Sequence, residues 1–197
     1  MSRQGSLVTA EWVAENLNNP QVVIVEVDED TTLYEQGHIE SAITFHWRDD
    51  LQDGLIRDLI SKEKFEALLS KSGISNDSTV ILYGGNNNWF ASYAFWYFKI
   101  YGHQDVRLLD GGRKRWELDG RAFVAAVPTR TATRYVAKER DNSIRAFRDE
   151  VIAAIGKLNI VDVRSPAEFS GELAAPAHLP QEQGQVKGHI PTAKNIP

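Results

Sequence analysis

The run Gly84-Gly85-Asn86-Asn87-Asn88 stands directly after the β-branched stretch Ser78 to Tyr83 and directly before an aromatic helical stretch that starts at Trp89. A polar loop between a strand and a helix N-terminus turns backbone N–H groups toward the positive end of the helix, where an anion or a thiolate is stabilised. Asparagine and glycine are equally favoured wherever backbone must turn or adopt left-handed conformations, and a plain turn is the simpler reading of these five residues. The run holds no cation and no thiol, and the whole chain has no cysteine. Disulfides, thiolate metal sites and a cysteine nucleophile are therefore excluded within these 197 residues.

Asp162 and Arg164 close a second β-branched stretch and offer either part of a substrate site or a structural ion pair. His38 and His189 recur at matched positions, Gly37-His38-Ile39 and Gly188-His189-Ile190. Their repetition points to hydrogen bonds that fix a turn. His46, His103 and His178 are scattered, with no second ligand at helical or hairpin spacing, so neither a metal nor a cofactor is assigned.

The elements that position these residues alternate between strand and helix. Val22 to Val27 is too continuously apolar for a half-exposed strand and suits a parallel strand covered on both faces. Thr9 is placed to cap a helix from Ala10 to Leu17, and Phe65, Leu68 and Leu69 share one face of a helix from Lys62 to Ser72. Val106 to Leu109 reads as a strand stopped by Asp110-Gly111-Gly112, with a short helix Lys114 to Leu118 behind it. The aromatics Trp89, Phe90, Tyr93, Phe95, Trp96, Tyr97 and Phe98 are too many for one face of a surface helix; some are expected on the sheet and others at a contact between domains. The alternation defines an α/β fold with a mostly parallel sheet. Residues 125–142 lack apolar periodicity and suit an extended linker over the surface. Beyond it, Ser143 is placed to cap a helix through Ile155, followed by a strand from Leu158 to Val163.

The second half repeats the first in order. Ile24-Val25-Glu26-Val27 matches Ile160-Val161-Asp162-Val163, Tyr34 matches Phe169, and Gly37-His38-Ile39 with Ala42 matches Gly188-His189-Ile190 with Ala193. The longer spacing in the second copy lies in Glu172 to Gln185, which reads as a loop insertion. The expected organisation is one complete domain over 1–124, a linker over 125–142 and an incomplete second domain over 143–197. A partial domain leaves backbone groups and an apolar face uncovered, and exchange of exposed strands between two copies would give a homodimer.

Charge and hydropathy narrow the partners. A net charge of -5 repels a polyanion, and no run of Lys or Arg spans several phosphates, so nucleic acid is not expected. No stretch approaches the 18 apolar residues of a membrane span, and the first residues lack an apolar core of signal-peptide length. The chain reads as cytoplasmic.

Together these residues resemble the rhodanese family, specifically its two-domain bacterial thiosulfate sulfurtransferases. The resemblance rests on the strand ending in an acidic residue followed by Tyr34-Glu35-Gln36-Gly37-His38-Ile39, the turn Leu109-Asp110-Gly111-Gly112 with Trp116, and Asp162 to Phe169 with Gly188 to Pro191. It implies a rhodanese-like three-layer domain followed by the start of a similar one. It also implies transfer of sulfane sulfur from a small donor anion such as thiosulfate to cyanide or a thiol, through a cysteine persulfide. In the family that cysteine follows the strand matching Thr79 to Tyr83. Position 84 is glycine here, which makes Gly84, Gly85, Asn86, Asn87 and Asn88 a vestigial active-site loop, and the resemblance places the working cysteine beyond Pro197. It sets Glu168 where mitochondrial members carry a substrate-binding arginine. Mercaptopyruvate sulfurtransferases share the architecture, and a cysteine-free rhodanese fold also serves as a non-enzymatic binding or regulatory module.

Overall fold

The computed structural model describes residues 3–56, 58–177 and 186–197; His178 and much of the expected loop insertion lie outside them. The chain forms two compact units, Met1–Asn142 and Ser143–Pro197.

The first unit carries, in order, α1 (Arg3–Ser6), β1 (Leu7–Val8), α2 (Ala10–Glu15), β2 (Val22–Asp28), α3 (Thr32–Gln36), β3 (Ile43–His46), α4 (Lys62–Lys71), β4 (Thr79–Tyr83), α5 (Trp89–Ile100), β5 (Val106–Leu109) and α6 (Gly112–Leu118). Its strands form one sheet in the order β1-β5-β4-β2-β3, with every pairing parallel. All seven residues of β2 are buried, as its unbroken apolar run requires. Alternate residues serve opposite faces. Val23, Val25, Val27, Val80 and Leu82 meet Phe65 and Leu69 of α4 and Ala94, Tyr97 and Phe98 of α5. Val22, Ile24, Ile81 and Tyr83 meet Val13, Tyr34 and Trp116 from α2, α3 and α6. The result is the expected α/β arrangement of helices on both faces of a mostly parallel sheet.

Strands β1 and β3 carried no separate sequence signal, and two expectations need correction. Residues 125–142 are extended, yet Tyr135 and Ala137 are buried in the α4/α5 core, and the backbone is tied down by Thr133 N–H to the Ser70 carbonyl at 2.9 Å and Lys138 N–H to the Tyr101 carbonyl at 3.0 Å. This stretch belongs to the first unit. The helix expected from Ser143 is shorter: α7 spans Arg148–Ala154, because the Glu150 carboxylate accepts from the Phe147 N–H at 2.7 Å and fixes the start there.

The second unit continues with β6 (Val161–Asp162), α8 (Pro166–Ser170) and β7 (Lys194–Asn195). β6 and β7 pair in parallel, so the strand expected over 158–163 is reduced to two residues with one neighbour. Ser165 caps α8: its hydroxyl accepts from Glu168 N–H at 3.3 Å while the Glu168 carboxylate accepts from Ser165 N–H at 3.2 Å. Glu168 is therefore buried in a structural cap.

His103, 3% exposed, bridges the Tyr135 hydroxyl at 3.1 Å and the Ser78 carbonyl at 3.0 Å, and burial pushes its pKa below the ordinary value. The unfolded chain binds its proton more readily than the folded one, so stability falls as pH drops below about 6.5. Glu26 and Asp28, whose carboxyls burial holds above their usual range, act in the opposite sense. Comparison with His103→Gln isolates the histidine. All five tryptophans lie in the first unit, so urea unfolding by tryptophan fluorescence at pH 7.5 and 5.5 reads it directly. The wild type is expected to lose up to about 1.4 kcal/mol per pH unit more than the variant over this window; equal losses would remove His103 from the account.

Candidate functional site

The loop predicted from sequence leaves the carboxyl end of β4 and enters α5. Asn86, Asn87 and Asn88 have φ of 44°, 55° and 65°, a left-handed run that asparagine tolerates better than other side chains. This geometry points Asn88 back into the loop. Its Oδ1 accepts from Gly84 N–H at 3.0 Å, and its Nδ2 donates to the Leu109 carbonyl at 2.7 Å. The Asp28 carboxylate, at the end of β2, accepts from Gly85 N–H at 2.8 Å. The Gly84 and Gly85 amides, at the start of the loop, thus donate to side-chain oxygens of the protein itself. Asp28 is 5% exposed, and burial raises its pKa against the pull of that Gly85 bond. A ligand anion would have to displace Asn88 and lie beside Asp28.

A second network supports the same end of the sheet. Glu26, 1% exposed, is bound by the Arg113 guanidinium at 2.8 and 2.9 Å and accepts a short hydrogen bond from the Tyr83 hydroxyl. Tyr83 in turn accepts from Ile39 N–H at 3.1 Å. Arg113 also donates to the carbonyls of Gly37 and Leu33 and lies 4.3 Å from the Phe123 ring centroid. Desolvation raises the Glu26 pKa, and the hydrogen bond from Tyr83 and the charge of Arg113 oppose that rise. These groups lock β2, β4, α3 and α6 together and engage both Glu26 oxygens within the protein.

In the second unit Arg164 binds Asp162, at 2.6 Å from Nη2 to Oδ2, and donates to the Gly188 carbonyl at 2.7 Å. Its hydrogen bond holds the Asp162 carboxyl below the usual range. Asp162 and Gly188 match Glu26 and Gly37, so each unit clamps an acidic strand residue and a Gly-His-Ile carbonyl with one arginine. The arginine comes from α6 in the first unit and from two residues past Asp162, beyond the end of β6, in the second. The histidines repeat as well. His38 stacks on Tyr34 at 3.9 Å and bonds its carbonyl, and His189 stacks on Phe169 at 3.7 Å and bonds that carbonyl.

Sequence reasoning missed Asp28 and Arg113. The available signal for Arg113 was the buried Glu26 itself, since a charge inside a covered strand needs a partner.

A parallel sheet with a strand-to-helix loop at its carboxyl edge defines an α/β protein of the kind that holds ligands at that edge. Residues 9–119 match the Rhodanese-like domain. The chain is 64% identical over 197 residues to a Mycolicibacterium smegmatis protein named "Putative thiosulfate sulfurtransferase", covering all of this chain and 71% of that protein. It is 50% identical over 196 residues to the Thermus thermophilus sulfur carrier protein TtuD, covering 97% of this chain and 69% of that one. Among solved structures, Escherichia coli SseA, described as a 3-mercaptopyruvate sulfotransferase, superposes with a TM-score of 0.80 at 24% identity, over 97% of this chain and 74% of that chain. The chain belongs to the rhodanese family. Among the described residues, no helix is long and apolar enough to cross a membrane.

Proposed function

We propose that this chain is the cysteine-free first domain, residues 1–124 with the connecting stretch 125–142, and the opening part, residues 143–197, of a cytoplasmic thiosulfate sulfurtransferase. The observation that carries the reading is the loop at residues 84–88, which has glycine at the expected cysteine position and has its Gly84 and Gly85 amides taken by Asn88 and Asp28. The persulfide thiol is supplied from outside these residues. There a thiolate attacks the outer sulfur of thiosulfate and sulfite leaves; cyanide or an acceptor thiol then attacks that sulfur and the thiolate leaves. The names of the M. smegmatis and T. thermophilus relatives support sulfur handling. Within this reading Asp162 and Arg164 shape the substrate side of the second domain. The closed loop equally suits a non-enzymatic binding module, and an assay separates the two.

The chain alone, given thiosulfate and cyanide, is expected to release thiocyanate at the background rate. A fusion to the residues that follow the matched stretch in the M. smegmatis relative is expected to release it catalytically. Transfer by the 197-residue chain alone would overturn the proposal. A fusion active only with 3-mercaptopyruvate would reassign the donor, and a folded but inert fusion would favour the binding module.

A further inference from the structure

The extended stretch that closes the first unit carries a charge pattern that neither its packing nor the 84–88 loop uses. From Ala122 to Lys138 the sequence holds Arg130, Arg134 and Lys138 but no Asp or Glu, in a chain with 27 acidic residues against 22 Lys and Arg. Cations elsewhere in this unit find carboxylates: Arg107 holds Asp105 at 2.7 Å, Arg113 holds Glu26 at 2.8 Å and Arg121 reaches Glu11 at 3.2 Å. Among the described residues, the side chains of Arg130, Arg134 and Lys138 have no ion pair and no hydrogen bond. Arg130 is the clearest case. Its Nε is buried without a partner, and burial holds its pKa below the ordinary value with no carboxylate pulling the other way. Glu66, which touches the strip, accepts the Ala137 N–H at 2.9 Å, and Glu139, which follows it, is bound to Lys62.

The strip is held rigidly in this form. Tyr135 and Ala137 are buried, and Arg134, Val136 and Lys138 alternate with them at exposed positions. Ser70 accepts from Thr133 N–H at 2.9 Å through its carbonyl and from Tyr135 N–H at 3.0 Å through its hydroxyl. The Asn76 side chain brackets Val136, accepting from its N–H at 3.0 Å and donating to its carbonyl at 2.8 Å. The stems of the outer two cations lie on glycines: a Cβ at Gly73 would come within 2.8 Å of the Arg130 Cβ, and one at Gly102 within 2.6 Å of the Lys138 Cδ. A cleft of about 350 Å3 opens beside Val136 and Lys138, lined also by Asn76, Asp77 and Gln104. These residues precede β4 and β5, so the strip lies at the end of the sheet opposite to residues 84–88.

We propose that residues 130–138 form a docking strip for an acidic, extended segment of another polypeptide, anchored by Arg130. The three cations recur every fourth residue, about 13 Å apart along an extended chain, and carboxylates four residues apart on the partner meet that spacing. A partly desolvated guanidinium without an anion gains most from a carboxylate, which it can bind through two parallel hydrogen bonds. Val136, 52% exposed, supplies an apolar contact between the charges. The chain as a whole has a net charge of -5, so an acidic partner is repelled elsewhere and steered to this strip. A nucleic-acid strand fits less well, because the strip shows no exposed aromatic ring on which a base could stack; Tyr135 is buried. The proposal stands apart from the sulfurtransferase reading and uses none of its residues.

The probe is a fluorescent peptide of about twelve residues that alternates Glu and Val, titrated with the 197-residue chain and read by anisotropy. Saturable one-to-one binding is expected, weakening at least about tenfold between low salt and about 0.5 M salt. Arg130→Gln is expected to weaken it about tenfold. Arg134→Gln combined with Lys138→Gln should do the same at exposed positions, with unfolding followed by tryptophan fluorescence as in the wild type. Lys114→Gln combined with Arg115→Gln removes the same two charges from α6 and is expected to change the affinity by less than about twofold. The longer fusion is expected to bind the peptide as the chain does. Absence of binding, binding indifferent to the strip variants, or an equal loss in the α6 control overturns the proposal. So does a fusion that no longer binds, which would make the strip a contact within the longer protein. Tighter capture of an oligothymidylate of matched length, or a dimer of the chain that the strip variants dissolve, would put a nucleic acid or a second copy in place of the acidic polypeptide and overturn it as well.

Discussion

Arg113→Ala is expected to destabilise the first unit by about 3–5 kcal/mol at neutral pH, because it strands a buried charge instead of removing a surface contact. Glu26 is 1% exposed and Arg113 is its cationic partner. Burial already raises the Glu26 pKa, and loss of the guanidinium removes a downward pull, so the pKa rises further. The sign follows from linkage. A carboxyl with a raised folded-state pKa contributes stability that is present below its unfolded value, near 4.3, and is lost as pH climbs through the folded value. The variant should therefore lie furthest below the wild type at pH 7 to 8 and recover part of the deficit toward pH 5, as Glu26 takes a proton. Urea unfolding of both proteins at pH 8, 7 and 5 measures this. A deficit under about 1 kcal/mol at every pH would mean that the pair behaves as an exposed salt bridge.

That ion pair also marks where sequence reading stops. The strands β2, β4 and β5 are legible because each is a largely apolar run stopped by acidic or glycine residues, and the polar loop is legible from its Gly and Asn. β1 has only two residues, and β3, Ile43-Thr44-Phe45-His46, mixes apolar with polar residues and has no turn residue directly after it. Tyr135 and Ala137 sit among Thr, Arg and Lys without apolar periodicity, and composition suggested a surface linker, although both are buried. Arg113 lies 87 residues from Glu26, and nothing local connects them. Only the sheet order, which brings α6 over the end of β2, makes them partners.

The correspondence read between the two units includes residues that bond backbone: His38 and His189 to the carbonyls of Tyr34 and Phe169, Glu26 and Asp162 through an arginine to Gly37 and Gly188. Such contacts tolerate few side chains, so the same letters recur. The arginine itself escapes the pattern, since a long side chain can reach one carboxylate from different elements.

Gly84→Cys should neither restore sulfur transfer nor be neutral for folding. A Cβ at position 84 would run into the Val27 carbonyl oxygen and lie 3.3 and 3.4 Å from the two Asp28 carboxylate oxygens. Overpacking of this kind costs about 1–3 kcal/mol, or more where backbone cannot yield. Any thiol accommodated there would sit beside a carboxylate, and its own N–H would still be bonded to Asn88, so its pKa should rise above the ordinary value near 8.5 instead of falling. A reactive thiolate needs the opposite surroundings, with free amides or a cation close by. Alkylation of Cys-free wild type and Gly84→Cys across pH 6 to 10, with intact mass after thiosulfate treatment, tests both halves. The expected record is slow modification that accelerates only at high pH, and no sulfur adduct. A stable variant that takes up sulfur at neutral pH would show that a single missing side chain silences the loop. Failure even when the variant folds would place the silence in the hydrogen bonds that Asn88 and Asp28 already make.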